Sequence, residues 1–282
     1  MKSLKSYLKK AQKEKWAIGQ FNFSSLEQLR GIIYASKKTK KPVILGTSEG
    51  ELGYLGLKET IALVEILKAK EKVDVFLNLD HAKDLKLIKK AIDYGYSAVH
   101  FDGSHLSLEK NINYAKKVVE YAHKKGVLVE GEIGYIRGSS KPHKEKAEIK
   151  KADLTLPEKA LYFVEKTGVD SLAIAIGNVH GIYQVMPNLD LERLERINNL
   201  LKKKVFLVLH GGSGIKPSQI KEAIKRGIVK ININTEIRLT WKKTLSLLLR
   251  EEKTIKPYEI LPKLEKEIQK KVQEKIKLFC KR

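Results

Sequence analysis

Short apolar runs rich in β-branched residues alternate along the chain with longer segments whose apolar residues recur every three or four positions. The runs are Ala17 to Phe23, Pro42 to Thr47, Val73 to Leu79, Ala98 to Asp102, Val127 to Gly134, Ser171 to Gly177, Val205 to His210 and Val229 to Thr235. Their near-continuous hydrophobicity suits strands buried on both faces, as in a parallel sheet. Between them a helical period shows in Leu26, Leu29 and Ile33 and in Leu85, Ile88 and Ile92, and Gly95, Gly126, Gly168 and Gly227 stand where helices should stop. Eight β/α alternations in 282 residues predict an α/β fold, a single (β/α)8 barrel spanning 1–282. An open doubly wound sheet is the structural alternative, but it requires no such count of eight.

Three segments fall outside that rhythm. Residues 1–16 predict an amphipathic N-terminal helix with Leu4, Tyr7, Leu8 and Ala11 on one side. Residues 135–156 are polar and lysine-rich, long enough to predict a lid over an active site. Residues 257–282 predict a helical tail whose Leu264, Ile268, Val272 and Ile276 pack on the barrel or on a second subunit.

With 42% hydrophobic residues the chain can bury a full core. No stretch approaches the ~20 apolar residues of a membrane span. The first twenty residues lack an apolar signal region, so a cytoplasmic location is expected. Cys280 is the only cysteine, which excludes an internal disulfide. The net charge of +23 raises nucleic acid as a partner, since basic surfaces gain affinity by releasing counterions. Against that, only 8 of the 56 basic residues are Arg, and the lysines are scattered over helical faces. The charge reads as a solvated surface that draws anionic substrates.

In a barrel of this kind the chemistry gathers at the carboxyl ends of the strands. That rule places Asn22 after the first, Ser48 after the second, Asp80 and His81 after the third and Asp102 after the fourth. Glu130 and Glu132 lie on the fifth, His180 after the sixth, His210 after the seventh, and Asn232, Asn234 and Thr235 on the eighth. Taken alone, Asp80-His81 reads equally as a helix cap beside a surface histidine. Three histidines at three strand ends change the balance, because imidazoles suit Zn²⁺ and three protein ligands leave a position for substrate. The strings Gly177 to Gly181 and His210 to Gly214 could bring backbone N–H groups to a phosphate. His100 shares parity with Asp102 and is expected inside the barrel as a packed, hydrogen-bonded residue. His105, His123 and His143 are expected on loops or helix surfaces, and Trp16 and Trp241 in apolar contacts.

These stretches resemble the class II, metal-dependent ketose-bisphosphate aldolases. The likeness runs through Phe21-Asn22, Leu79-Asp80-His81, Phe101 to Ser104, Glu130 to Gly134, Thr167 to Ala173, both glycine strings and Lys230 to Thr235. It implies a zinc-dependent lyase that splits a ketose 1,6-bisphosphate, fructose 1,6-bisphosphate first and tagatose 1,6-bisphosphate second, into dihydroxyacetone phosphate and glyceraldehyde 3-phosphate. His81, His180 and His210 would hold the catalytic Zn²⁺, and Asp102 and Glu132 a second divalent position. Asp80 would exchange the C4-hydroxyl proton. Gly181, Gly211, Gly212 and Ser213, with Asn232, Asn234 and Thr235 nearby, would take the dihydroxyacetone phosphate, beside a monovalent cation, Na⁺ or K⁺. Asn22 and Ser48 would line the pocket. Homodimers or homotetramers are the family's habit.

The chain departs from the family at three places. Arg137 to Lys141 replaces a Gly-Gly-x-Glu-Asp stretch, so the lid glutamate would have to come from Glu145 or Glu148. Lys256-Pro257-Tyr258 replaces an Asp-Pro-Arg whose Arg serves the far phosphate. Gly46 replaces a Gln. Two rivals remain. One is an inactive barrel that binds RNA through its lysines; the other is a Schiff-base aldolase, which would need a buried lysine at a strand end where none is visible.

Overall fold

All eight apolar runs form strands, and they close a parallel barrel. The computed structural model describes residues 2–280; the outermost residues of the two predicted terminal segments, Met1, Lys281 and Arg282, lie outside the described residues. In chain order the strands are β1 (Ile18–Asn22), β2 (Val43–Ser48), β3 (Val75–Ala82), β4 (Ala98–Phe101), β5 (Leu128–Ile133), β6 (Gly138–Pro142), β7 (Ser171–Ile174), β8 (His180–Ile182), β9 (Phe206–Leu209) and β10 (Ile228–Ile233). The barrel runs β1-β10-β9-β7-β5-β4-β3-β2, while β6 and β8 form a small parallel sheet outside it. Helices follow the barrel strands and cover the outside.

Because side chains alternate along a strand, every second residue enters the barrel and the interior is built in layers. The floor is apolar: Ile18, Ile44, Phe76, Leu128, Phe206 and Val229 cluster with Leu4, Leu8 and Trp16, so the helix Leu4–Glu14 plugs the amino end. Two residues higher the filling turns polar, with Gln20, Asn78, His100, Glu130 and Lys230 all buried. These groups satisfy one another: Asn78 Nδ2 donates to Gln20 Oε1 at 2.8 Å and Lys230 meets Glu130 at 2.6 Å. Another two residues up lie Asn22, Asp80, Asp102, Glu132, His210 and Asn232, at the mouth. The alternate positions, among them Phe21, Leu45, Leu77, Val99, Leu207 and Ile231, face outward into the main apolar core beneath the helices.

The tail helix Pro257–Cys280 lies on the barrel's own shell, with Leu264, Ile268, Val272 and Ile276 buried. Its partner is the helix Leu26–Thr39, where Gly31 leaves room for Ile268: a Cβ at position 31 would come within 2.7 Å of Ile268 Cγ2. Residues 135–156 are more ordered than their composition suggests, since β6 pairs with β8 and Lys151–Asp153 forms a 3₁₀ turn. Arg137 Nε fixes that turn by donating to Asp153 at 2.5 Å. Among the described residues no helix is long and apolar enough to cross a membrane.

Candidate active site

Adjacent residues on a regular strand point to opposite faces, so Asp80 and His81 should not share a site. They do because β3 carries one extra residue there. Leu79 pairs with Val99 but Ala82 pairs with Phe101, and His81 sits in the left-handed region at φ 50. That conformation is costly for a residue with a Cβ, and such strain concentrates at functional positions. Its effect is to bring both side chains to one pocket at the mouth.

Around that bulge the imidazoles converge. His81 Nε2 is 2.8 Å from His210 Nδ1, and the His180 ring lies 4.8 Å from that of His81 and 6.1 Å from that of His210, centre to centre. The other nitrogen of His210 contacts Glu130 at 2.7 Å, and the second oxygen of Glu130 is held by Lys230, so the ring is braced from below. His81 Nδ1 lies 3.0 Å from Asp102 and 3.8 Å from Glu132. Asp102 and Glu132 thus stand behind His81 and do not line the open pocket. One buried oxygen, Glu132 Oε2, finds no hydrogen-bond partner among the described residues. The groups whose donor atoms lie close enough for one ion are Asp80, His81, His100 and His210, and His81, Asp102 and Glu132; both centre on His81 and fit a divalent cation such as zinc, with the His180 ring beside them.

Charge inside this layer is strongly redistributed. Burial would raise the Asp80 carboxyl, but the charges of His81, His210 and Lys230 outweigh it and hold the group well below the usual carboxylate range. Asn22 Nδ2 and Asn232 Nδ2 donate to its two oxygens at 3.0 and 3.1 Å. His81 is pulled the other way: burial disfavours its charge, yet Asp80, Asp102 and Glu132 raise it to about 9. His210 is lowered to about 4 by burial and by the charge of His81, and His180 falls well below its ordinary value for the same reasons. Burial and the neighbouring charge of Asp102 lift Glu132 to about 7.

The pocket beside this cluster is lined by Asn22, Ser48, Asn232, Asn234 and Thr235 from the barrel rim, and by His180, Gly181, His210, Gly211 and Ser213 from the glycine strings. Gly212, expected to touch phosphate, does not line it. Its N–H donates to the Asn232 carbonyl at 3.0 Å, and a Cβ there would lie 2.6 Å from Ile231, so it serves close packing. Thr235 opens the 17-residue helix Thr235–Glu251, whose positive end faces the pocket. Neither Glu145 nor Glu148 lines the pocket; both are exposed, and Glu145 contacts His143 at 3.2 Å.

Sequence reasoning passed over several residues. Glu51 is buried at the rim and accepts from Asn22 and from the Ser48 N–H, at 3.0 and 2.8 Å, and from Asn234 and Arg238, at 3.3 and 2.6 Å. Its signal was present as a capping box, Ser48-Glu49-Gly50-Glu51. Arg238, one turn into the helix that Thr235 begins, lines the pocket as its one Lys or Arg among the described residues. The barrel does bury a lysine, Lys230, but below the mouth and paired with Glu130. Gly46 stands beside the amides of its neighbours: a Cβ there would fall 2.4 Å from Asn22 Oδ1 and 2.7 Å from Gln20 Nε2.

Known proteins resemble this chain over most of its length. Residues 2–282 match the family model described as fructose-bisphosphate aldolase class-II. The chain is 39% identical over 256 residues to a fructose-bisphosphate aldolase of Geobacillus stearothermophilus, covering 90% of this chain and 87% of that one. It is 41% identical over 244 residues to a 6-phospho-5-dehydro-2-deoxy-D-gluconate aldolase of Bacillus subtilis, covering 85% and 81%. Among solved structures, the YdjI aldolase of Escherichia coli K12 superposes with a TM-score of 0.83 at 32% identity, over 99% of this chain and 97% of that one.

Proposed function

Because the chain belongs to the class II fructose-bisphosphate aldolase family, and is therefore an aldolase, we propose that it cleaves a phosphorylated ketose reversibly at C3–C4, releasing dihydroxyacetone phosphate. The observation that carries this reading is the meeting of His81, His180, His210 and ionised Asp80 in one pocket beside the glycine strings. His81, His180 and His210 would hold a catalytic Zn²⁺, with Asp102 and Glu132 offering a second position behind His81. The bound ion would act as a Lewis acid on the sugar's ketone and adjacent hydroxyl oxygens, supplying stabilisation for the electron pair that the breaking C3–C4 bond leaves at C3 and the ketone; loss of the C4-hydroxyl proton turns C4 into the aldehyde, and a proton taken up at C3 completes dihydroxyacetone phosphate.

Asp80 takes the C4-hydroxyl proton. It is charged at neutral pH, and the two amides fix its oxygens toward the pocket. Gly181, Gly211, Ser213 and the start of the helix at Thr235 would seat the phosphate of dihydroxyacetone phosphate. Arg238 supplies the cation for a second anionic group, in place of the arginine that Tyr258 replaces. Cytoplasmic location and self-association remain part of the proposal.

Fructose 1,6-bisphosphate is the favoured substrate and tagatose 1,6-bisphosphate the alternative. A substrate with one phosphate is the second reading, favoured by Lys256-Pro257-Tyr258 and by the relatives named for 6-phospho-5-dehydro-2-deoxygluconate. Parallel assays of all three sugars with and without EDTA decide. The proposal expects the highest kcat/KM for fructose 1,6-bisphosphate, its loss on chelation and its return with Zn²⁺; silence toward every phosphorylated ketose would refute it. Arg238→Ala should raise KM for a bisphosphate with kcat little changed, and an unchanged KM would remove Arg238 from the site.

A further inference from the structure

His100 has no part in the reading above, yet it lies directly beneath the site, within reach of Asp80, His81 and His210. It is fully buried on β4, one layer beneath Asp102. Its Nδ1 accepts the backbone N–H of His81 at 3.2 Å. A peptide N–H can donate only to a lone pair, so the neutral ring carries its proton on Nε2. That atom faces Glu132 Oε2 at 3.5 Å, and neither atom has a hydrogen-bond partner among the described residues, though the same oxygen also lies 3.8 Å from His81 Nδ1.

His100 lies within reach of the cluster formed by Asp80, His81 and His210, and it could be taken for a fourth ligand. The hydrogen bond argues otherwise, since Nδ1 has given its lone pair to His81 and Nε2 holds the proton. The carboxylates nearest Nδ1, Asp80 at 3.9 Å and Glu130 at 3.8 Å, are beyond hydrogen-bond range. The bond it does make ends on the one non-glycine residue of this site that stands in the left-handed region, His81 at φ 50.

We propose that His100 is a positioning residue: it latches the His81 peptide in the bulge that turns the His81 imidazole toward the mouth, and it presents its N–H to Glu132 behind. A ligand whose backbone is free to relax out of that turn would swing away from His210 and Asp80. This role rests on the reading that His81 binds metal.

The test compares wild type with His100→Asn, His100→Gln and His100→Leu, each stripped of metal. Two readouts are taken: the visible spectrum after loading with Co²⁺, and Zn²⁺ affinity in competition with a chromophoric chelator. Asn restores an acceptor where Nδ1 stands, Gln carries its amide one methylene farther toward Nε2, and Leu fills the space with neither. Asn should keep the wild-type spectrum and affinity, whereas Gln and Leu should alter the spectrum and weaken Zn²⁺ by about ten- to one-hundredfold, as loss of a partner behind a metal ligand does. Identical spectra and affinities in all four proteins would overturn the proposal, as would Gln matching wild type while Asn fails. If the Leu variant does not fold, Asn against Gln still decides. A wild type that takes up no ion removes the metal reading and this inference together; a wild type that binds while the variants match it removes the inference alone.

Discussion

Asp80 keeps its charge because His81 stands beside it with His210 and Lys230 near, while Asn22 and Asn232 each donate to one of its oxygens and leave each a lone pair free for a proton. Asp80→Asn preserves the shape and removes the acceptor. It should lower kcat by about 10²- to 10⁴-fold with metal content intact, read by steady-state kinetics and metal analysis of the same sample. His81 makes a different prediction. In the metal-free protein its folded value is raised from 6.5 to about 9, so its stabilising contribution is complete below about pH 6.5 and is lost as pH rises through about 9. Zn²⁺ must displace that proton, so binding at pH 7 should release protons and affinity should grow toward pH 9. Calorimetry in buffers of different ionisation enthalpy measures the release; buffer-independent heat at pH 7 would contradict the charged state of His81.

At the scale of elements, the least expected feature is that the segment 135–156 is tied to the strand that carries His180. β6 pairs with β8, the Arg137 carbonyl accepts the His180 N–H at 2.7 Å, and Gly181 lies between them at φ +104. A Cβ on Gly181 would fall 2.6 Å from the Ser139 and Lys141 carbonyls. Gly181→Ala should therefore separate segment from strand, raising KM and increasing protease cleavage near 138–146; unchanged kinetics and proteolysis would show the segment is independent. On the opposite side of the barrel, Ile268→Ala should cost about 2–5 kcal/mol in a denaturation series, because the tail helix fills the notch at Gly31 with that side chain.

Across the whole molecule, the barrel was legible because its signals are local and repeated: eight apolar runs alternate with segments of helical period, four of which end at a glycine. The mouth was legible because strand ends follow from the fold. What escaped depends on geometry that sequence spacing does not carry. Strand parity alone would have parted Asp80 from His81, and only a one-residue bulge reunites them. Gly212 is set apart from Gly211 by the N–H that it donates to the Asn232 carbonyl, which its residue type does not announce. The polar run 135–156 gave no sign that Gly138–Pro142 would pair with β8, and Glu51 and Arg238 acquire meaning only when Ser48 and Thr235 arrive at the same rim. The net charge of +23 lies mostly on exposed lysines, consistent with a surface that attracts phosphorylated sugars.

One divalent ion bound by residues from three strands is the premise under all of the proposed chemistry. A crystal of the zinc-loaded protein, measured at the zinc absorption edge, tests it directly. The account predicts an anomalous peak at the barrel mouth about 2.0–2.1 Å from a ring nitrogen of each of His81, His180 and His210. A peak elsewhere, or rings turned away from a common point, would contradict it.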